Sequence, residues 1–162
     1  MGAGCALAFP PRARAATQKA LFIIARSLNA NVLCYDARLD ARGALDRDHP
    51  ITADWIMHEA GGRREELTWF ERQFAYGFSV TAPVEPRRLR MRLDAFPSRE
   101  LLVGIDAAGQ PHAYTTIAAQ SAVLSRIFVQ LEPGGGLPRV RHVELSGTAV
   151  RSGQVLRERV RP

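Results

Sequence analysis

The sequence predicts a single, mainly β domain, an antiparallel β-barrel or β-sandwich carrying one amphipathic α-helix at about residues 64–76. Three observations predict it. Apolar and polar residues alternate in several short segments, most plainly in Arg88-Leu89-Arg90-Met91-Arg92-Leu93, which puts leucine and methionine on one face and arginine on the other. These segments recur about every 8–12 residues, the spacing of a sandwich or closed barrel, whereas a parallel α/β sheet needs a helix between most strands. Only one stretch has helical periodicity.

The elements follow in order. Residues 1–18 are read as a truncated signal peptide or a disordered N-terminal segment. Ala6-Leu7-Ala8 has the small-x-small pattern that signal peptidase accepts, and Pro, Arg and Ala follow without a period. A chain exported in this way is periplasmic or secreted; the alternative is a cytoplasmic protein with a loose N-terminus. A single β-rich domain is expected over 19–150. Leu21-Phe22-Ile23-Ile24 reads as a strand covered on both faces, Ser27 to Asn31 as a turn, and Val32 to Leu39 as the returning strand. Asp40 to Pro50 is loop-like, and Ile51 to Glu59 is a third strand closed by Gly61-Gly62. In the helix, Leu67, Phe70 and Phe74 form one stripe toward a core, Glu65 and Glu66 occupy the first turn, and Gly77 stops it. Strands are expected at 88–93, 100–105, 112–118, 123–131 and 140–145, with hairpin connections at Asp106 to Gly109 and Ala119 to Ser121. Pro133 to Gly136 reads as a loop and 151–162 as a weakly ordered C-terminal tail.

Composition excludes several classes. The 162 residues are 46% hydrophobic and 23% charged, which is ordinary globular usage and neither disordered nor fibrous. The net charge is +6, yet Lys19 is the only lysine and the arginines are scattered with few aromatics among them, so nucleic acid is not favoured as a partner. No segment beyond the N-terminus is apolar over a membrane-spanning length. Cys5 and Cys34 make neither a disulfide framework nor a metal site, and Cys34 reads as a small buried hydrophobe.

No motif specifies a reaction. His58-Glu59 lacks the second histidine of a zinc-protease helix, because Gly62 stands where it is needed. The 40–50 loop lacks the regular acid spacing and terminal glutamate of a calcium loop. Gly134 to Gly136 lacks the lysine and following helix of a phosphate loop, and there is no Gly-x-Ser-x-Gly elbow. His49, His58, His112 and His142 are dispersed. Neither a metal nor another cofactor is therefore expected.

Two sets of residues remain as candidate binding surfaces. Arg88, Arg90 and Arg92 share a strand face and can receive an anion. Arg26, Asn29, Asn31, Tyr35, Trp55, His58, Glu71, Arg72 and Tyr76 form a polar and aromatic set around the first turn, the third strand and the helix. Glu71, beside the apolar stripe, is read either as the ion-pair partner of Arg26 or as part of a ligand pocket with Tyr76 and Trp55.

The series from Leu21 to Ile24 with Arg26-Ser27 and Asn29-Ala30-Asn31, then Tyr35-Asp36, His49-Pro50-Ile51, Trp55-Ile56-Met57, Glu66-Leu67, Glu71-Arg72 and Ala75-Tyr76-Gly77 resembles the bacterial family catalogued as domain of unknown function 4833. Tyr114 to Ile117 and Val123 to Gln130 fit it as well, so the resemblance runs from about Leu21 to Leu131. It implies an exported protein and carries no activity. The function expected from all of this is a non-enzymatic envelope domain that binds a small or anionic ligand or a protein partner. The rival is a hydrolase or lyase with Glu71 or His58 as general base and Arg26 holding substrate charge; a purely structural envelope protein is the third.

Overall fold

The computed structural model describes residues 17–85, 88–135 and 138–161; the expected signal segment before Thr17 and part of the 133–136 loop lie outside them. The chain runs β1 Thr17–Arg26, β2 Val32–Leu39, β3 Ile51–Met57, a single turn of 3-10 helix at His58–Ala60, β4 Arg63–Glu66 and α1 Trp69–Phe74. It continues through β5 Phe78–Glu85, β6 Arg88–Leu93, β7 Glu100–Ile105, β8 Pro111–Ile117, β9 Gln120–Glu132, β10 Arg139–Ala149 and β11 Val155–Val160. The mainly β architecture with one helix is therefore as expected. The strands form one sheet curled into a half-barrel.

β9 organises the sheet. Its residues Ala122 to Glu132 pair with β10 along one edge, so its other partners must share the opposite edge: β8 along Gln120 to Val123 and β1 along Arg126 to Val129. From that edge one arm runs β1-β2-β3-β4 and the other β8-β7-β6-β5. Every pairing is antiparallel except β1 with β9, which is parallel. A bulge at Ser125 marks the switch between arms, because Leu124 pairs with Gly147 and Arg126 with Ser146 while Ser125 Oγ donates to the Ser146 carbonyl at 3.0 Å. The bulge shifts the alternation by one residue, so Ala122, Leu124 and Ile127 all face inward. Gly147 lies where the strands press together: a Cβ there would stand 2.3 Å from the Val123 carbonyl oxygen and 2.8 Å from Ile117 Cδ1.

Two-residue alternation fills a single core. Phe22, Ile24, Leu33, Tyr35, Ala37, Ile51, Ala53 and Trp55 from one arm meet Met91, Leu93, Leu101, Val103, Ala113 and Ile117 from the other. Leu145 and Leu156 of the β10-β11 hairpin join them. The stretch expected to be a loose tail thus contains β11, which pairs with β10 from Val155 to Val160.

The helix departs most from expectation. It covers six residues instead of 64–76, and Arg63 to Glu66 is an edge strand on Met57 to Asp54. The reason is local. Thr68 caps the helix, its hydroxyl accepting from the Glu71 amide at 3.3 Å while the Glu71 carboxylate accepts from the Thr68 amide at 2.9 Å, a capping box that fixes the start at Trp69. Of the expected stripe only Leu67 is buried; Phe70 and Phe74 are exposed and do not seal the core.

The hairpin between β8 and β9 turns at Ala118-Ala119, one residue earlier than expected, and Gln120 already belongs to β9. Both alanines have positive φ, 49° and 61°, a region in which alanine is strained and Asn-Gly is at ease. Replacing them with Asn-Gly is expected to raise stability by about 1 kcal/mol, read as a higher urea midpoint at unchanged slope. A lower midpoint would show that the alanines are not strained.

Candidate functional site

Phe22, Ile24 and Arg26 share the inward face of β1, so the alternation that buries two apolar side chains carries a guanidinium to the mouth of the half-barrel. There Arg26 Cζ lies 4.6 Å from the centre of the Trp55 ring and 5.7 Å from that of Tyr76. Its Nη1 donates to the Tyr76 hydroxyl at 2.8 Å. Tyr76 stands edge-on to Trp55 at 5.2 Å, and Trp55 Nε1 donates to Glu71 Oε1 at 3.1 Å. Tyr35 reaches the same place from below, its hydroxyl donating to the Tyr76 carbonyl at 2.9 Å. Five of the expected residues, Arg26, Tyr35, Trp55, Glu71 and Tyr76, thus converge on one cluster.

The expected ion pair between Arg26 and Glu71 is not formed. Trp55 and Tyr76 take up the positions between them, and the Glu71 oxygens accept from Trp55 Nε1 and from the Thr68 amide and hydroxyl. Arg26 has no carboxylate partner among the described residues, its Nε is buried without a hydrogen bond, and its Nη2 makes none to the protein. The cation is stabilised by the ring faces beneath it, worth about 0.5–2 kcal/mol, and keeps unused donors. Burial raises the Tyr76 pKa against the opposing pull of the Arg26 cation, so the phenol stays protonated at neutral pH.

The other candidates lie apart. Asn31 Oδ1 accepts from the Glu59 amide at 3.3 Å, which ties the first turn to the 3-10 turn. Asn29 Oδ1, in that same first turn, is buried without a partner. His58 is exposed on the 3-10 turn. Arg72 is exposed on α1, with Nη2 at 3.4 Å from the Leu67 carbonyl. Arg88, Arg90 and Arg92 face outward, in register with Gly104, Leu102 and Glu100 of β7, and Arg90 pairs with Glu100 at 3.5 Å. They lie on the solvated outer face of β6, opposite Met91 and Leu93, which point into the core.

A second polar cluster lies on the outer face of the first arm, formed by residues that no motif links. Asp36 is 1% exposed and receives Arg64 Nη1 at 2.5 Å, with Cys34 Sγ donating to its other oxygen at 3.1 Å. Arg64 also reaches Asp54 at 3.5 Å. The sequence signal was the i, i+2 placement of Cys34 and Asp36 on one strand face. Burial and the adjoining Asp36 push the Cys34 thiol up to about 12, so it is an inert hydrophobe with a weak donor. Burial likewise raises the Asp54 pKa, with Arg64 opposing and Asp36 adding to the rise.

Above the unfolded pKa of Asp54 the folded chain holds this proton more tightly than the unfolded chain, so stability falls as pH rises through the folded pKa. Asp54→Asn is expected to melt higher than the parent at pH 7, with the difference closing in acid below the ordinary carboxylate range. A lower melting temperature at pH 7 would contradict the burial argument.

Besides a smaller one of about 420 Å³ beside Arg99 and Tyr114, two open clefts are found among the described residues. One, of about 760 Å³, is lined by Lys19, the 40–47 loop, Arg88 and Ile105 to Ala107. The other, of about 560 Å³, lies at the seam between the arms, where Ile51 to Asp54 face Gly77, Phe78 and Asp94. Neither is lined by Arg26, Trp55 or Tyr76, so the aromatic cluster lies apart from both clefts. Gly77 is required at that seam, since a Cβ would stand 2.1 Å from the Arg72 carbonyl oxygen and 2.4 Å from Asp94 Oδ2. No helix of the described residues is long and apolar enough to cross a membrane. Among the same residues, no group of three or more His, Cys, Asp and Glu side chains is arranged to hold a metal ion.

A family model described as Domain of unknown function (DUF4833) matches residues 22–159, all but the ends of the chain. No curated protein and no solved structure matches it.

Proposed function

We propose that this chain, which belongs to the DUF4833 family, is a non-enzymatic binding domain that takes a small anion, a carboxylate or a phosphate ester, on the free edge of Arg26 at the barrel mouth. One observation carries the reading: a part-buried guanidinium is held over Trp55 and by Tyr76 with no carboxylate partner, and one of its donors is buried without a hydrogen bond. A buried donor left unmet costs about 1–3 kcal/mol, and an anion accepting from Nη2 adds a charge-assisted hydrogen bond to the same guanidinium. Binding is favoured over catalysis because the nearby carboxylate, Glu71, commits its oxygens to Trp55 and Thr68, and His58 lies exposed on the 3-10 turn.

A single arginine contact implies weak affinity, roughly millimolar for a simple ion. The reading also places the domain in the envelope or the medium, supported by the small-x-small pattern at Ala6 to Ala8; recovery of the native protein only from the cytosol would oppose that part.

The test is a titration of the full chain with inorganic phosphate and with acetate, followed by tryptophan fluorescence, since Trp55 lies directly against Arg26. Arg26→Gln is expected to weaken binding at least roughly tenfold, the effect of losing one charge-assisted contact. Arg90→Ser/Arg92→Ser is expected to leave it unchanged. The reverse pattern would move the site to the outer arginine row and end the proposal for the mouth.

A further inference from the structure

The short helix carries a feature that the anion site does not use. Trp69, Phe70 and Phe74 are 73%, 65% and 64% exposed, and they pack on one another, with Phe74 at 6.0 Å from Trp69 and 4.9 Å from Phe70. Thr68, Arg72 and Gln73 are exposed too, and only Glu71 of this segment turns inward. The helix therefore stands out from the barrel as an aromatic knob, held rigidly by its capping box and by the bond from Trp55 to Glu71.

We infer that α1 is a membrane-surface anchor whose Trp69, Phe70 and Phe74 rings enter the interfacial region of an anionic lipid bilayer. Size argues for lipid over protein. Three rings about two-thirds exposed offer about 300–500 Å², whereas a stable dimer or complex buries about 800 Å² on each partner. A projecting knob also needs no matching cavity when the partner is a fluid surface. Residue type agrees, because tryptophan and phenylalanine are favoured at the headgroup boundary. Charge is compatible as well. Arg72 is the cationic side chain on the outer surface of the helix, Glu71 is turned in, Arg63 is matched by Glu65, the exposed Glu66 opposes, and the chain as a whole carries +6.

The two tryptophans make the test direct, since Trp55 is buried and Trp69 is exposed. The full chain is mixed with vesicles of phosphatidylglycerol and phosphatidylethanolamine, and with vesicles of phosphatidylcholine alone. The expected result is co-sedimentation with the anionic vesicles, a blue shift of the emission and quenching by brominated lipid. Trp69→Phe should keep binding but lose the quenching, leaving only the sheltered Trp55. Trp69→Ser/Phe70→Ser/Phe74→Ser, with its circular dichroism unchanged because the rings support no core contact, should bind roughly tenfold less. Equal binding by the triple variant would overturn the inference, leaving net charge as the cause. Absence of any vesicle binding would overturn it too, and concentration-dependent self-association of the parent alone would then assign the knob to a second copy of the chain.

Discussion

Tyr35→Ala is expected to cost about 3–5 kcal/mol, the loss seen when a large aromatic side chain leaves a well-packed core. In a chain of this length that corresponds to a fall in melting temperature of roughly 10–15 °C. Tyr35 is fully buried, lies flat on Phe22 with ring centres 4.7 Å apart and meets the edge of Phe78 at 5.8 Å. Phe22 and Tyr35 belong to one arm of the half-barrel and Phe78 to the other, so this ring joins the two arms where no backbone ladder does. Its hydroxyl adds the bond to the Tyr76 carbonyl across the same seam. Tyr35→Phe keeps the packing and removes that bond, and should cost only about 1 kcal/mol. If the two substitutions were equally costly, the hydroxyl and not the ring would be closing the seam.

Arg64→Met is the second large effect, about 3 kcal/mol. Removing the guanidinium leaves Asp36 buried with the Cys34 thiol as its remaining partner among the described residues, which strands a charge away from water. The value is set at the low end of the usual range because Arg64 is itself 45% exposed and part of its attraction is screened. Asp36→Asn/Arg64→Met should recover most of the loss, since the double variant removes the fully buried charge and leaves only the less buried Asp54 without its arginine. A double variant as unstable as the single one would show that packing by the arginine stem, and not the ion pair, is what matters.

Alternation was legible wherever one strand face is apolar and the other polar. β2, β6 and β7 begin and end where the pattern of Val32 to Leu39, Arg88 to Leu93 and Glu100 to Ile105 puts them. It was illegible where both faces are polar, as in the edge strand Arg63 to Glu66, and where Pro83 interrupts the pattern, as in β5. The helix was misjudged because Leu67, Phe70 and Phe74 have helical spacing although the last two serve no core. The Thr68-x-x-Glu71 capping signature was the better guide to its start. The parallel pairing of β1 with β9 depends on residues about a hundred positions apart, which local patterns do not record.

The site was half legible for a related reason. Arg26, Tyr35, Trp55, Glu71 and Tyr76 were recognisable as a polar and aromatic set at the helix–sheet boundary, and the fold brings them together. Their wiring was not, because opposite charge suggested Arg26 with Glu71, while the inward register of Trp55 inserts an indole that takes the arginine on its face and the glutamate at its nitrogen. That substitution of a ring for a carboxylate is what leaves the guanidinium with donors to spare.

The most direct measurement is the NMR resonance of the Arg26 Nε–H group as inorganic phosphate is added to the intact protein. A saturable shift of this resonance, with the Arg90 and Arg92 signals unmoved, is the predicted result. An Arg26 signal that stays fixed up to saturating phosphate, or that moves only together with every other arginine, would contradict an anion site at the barrel mouth.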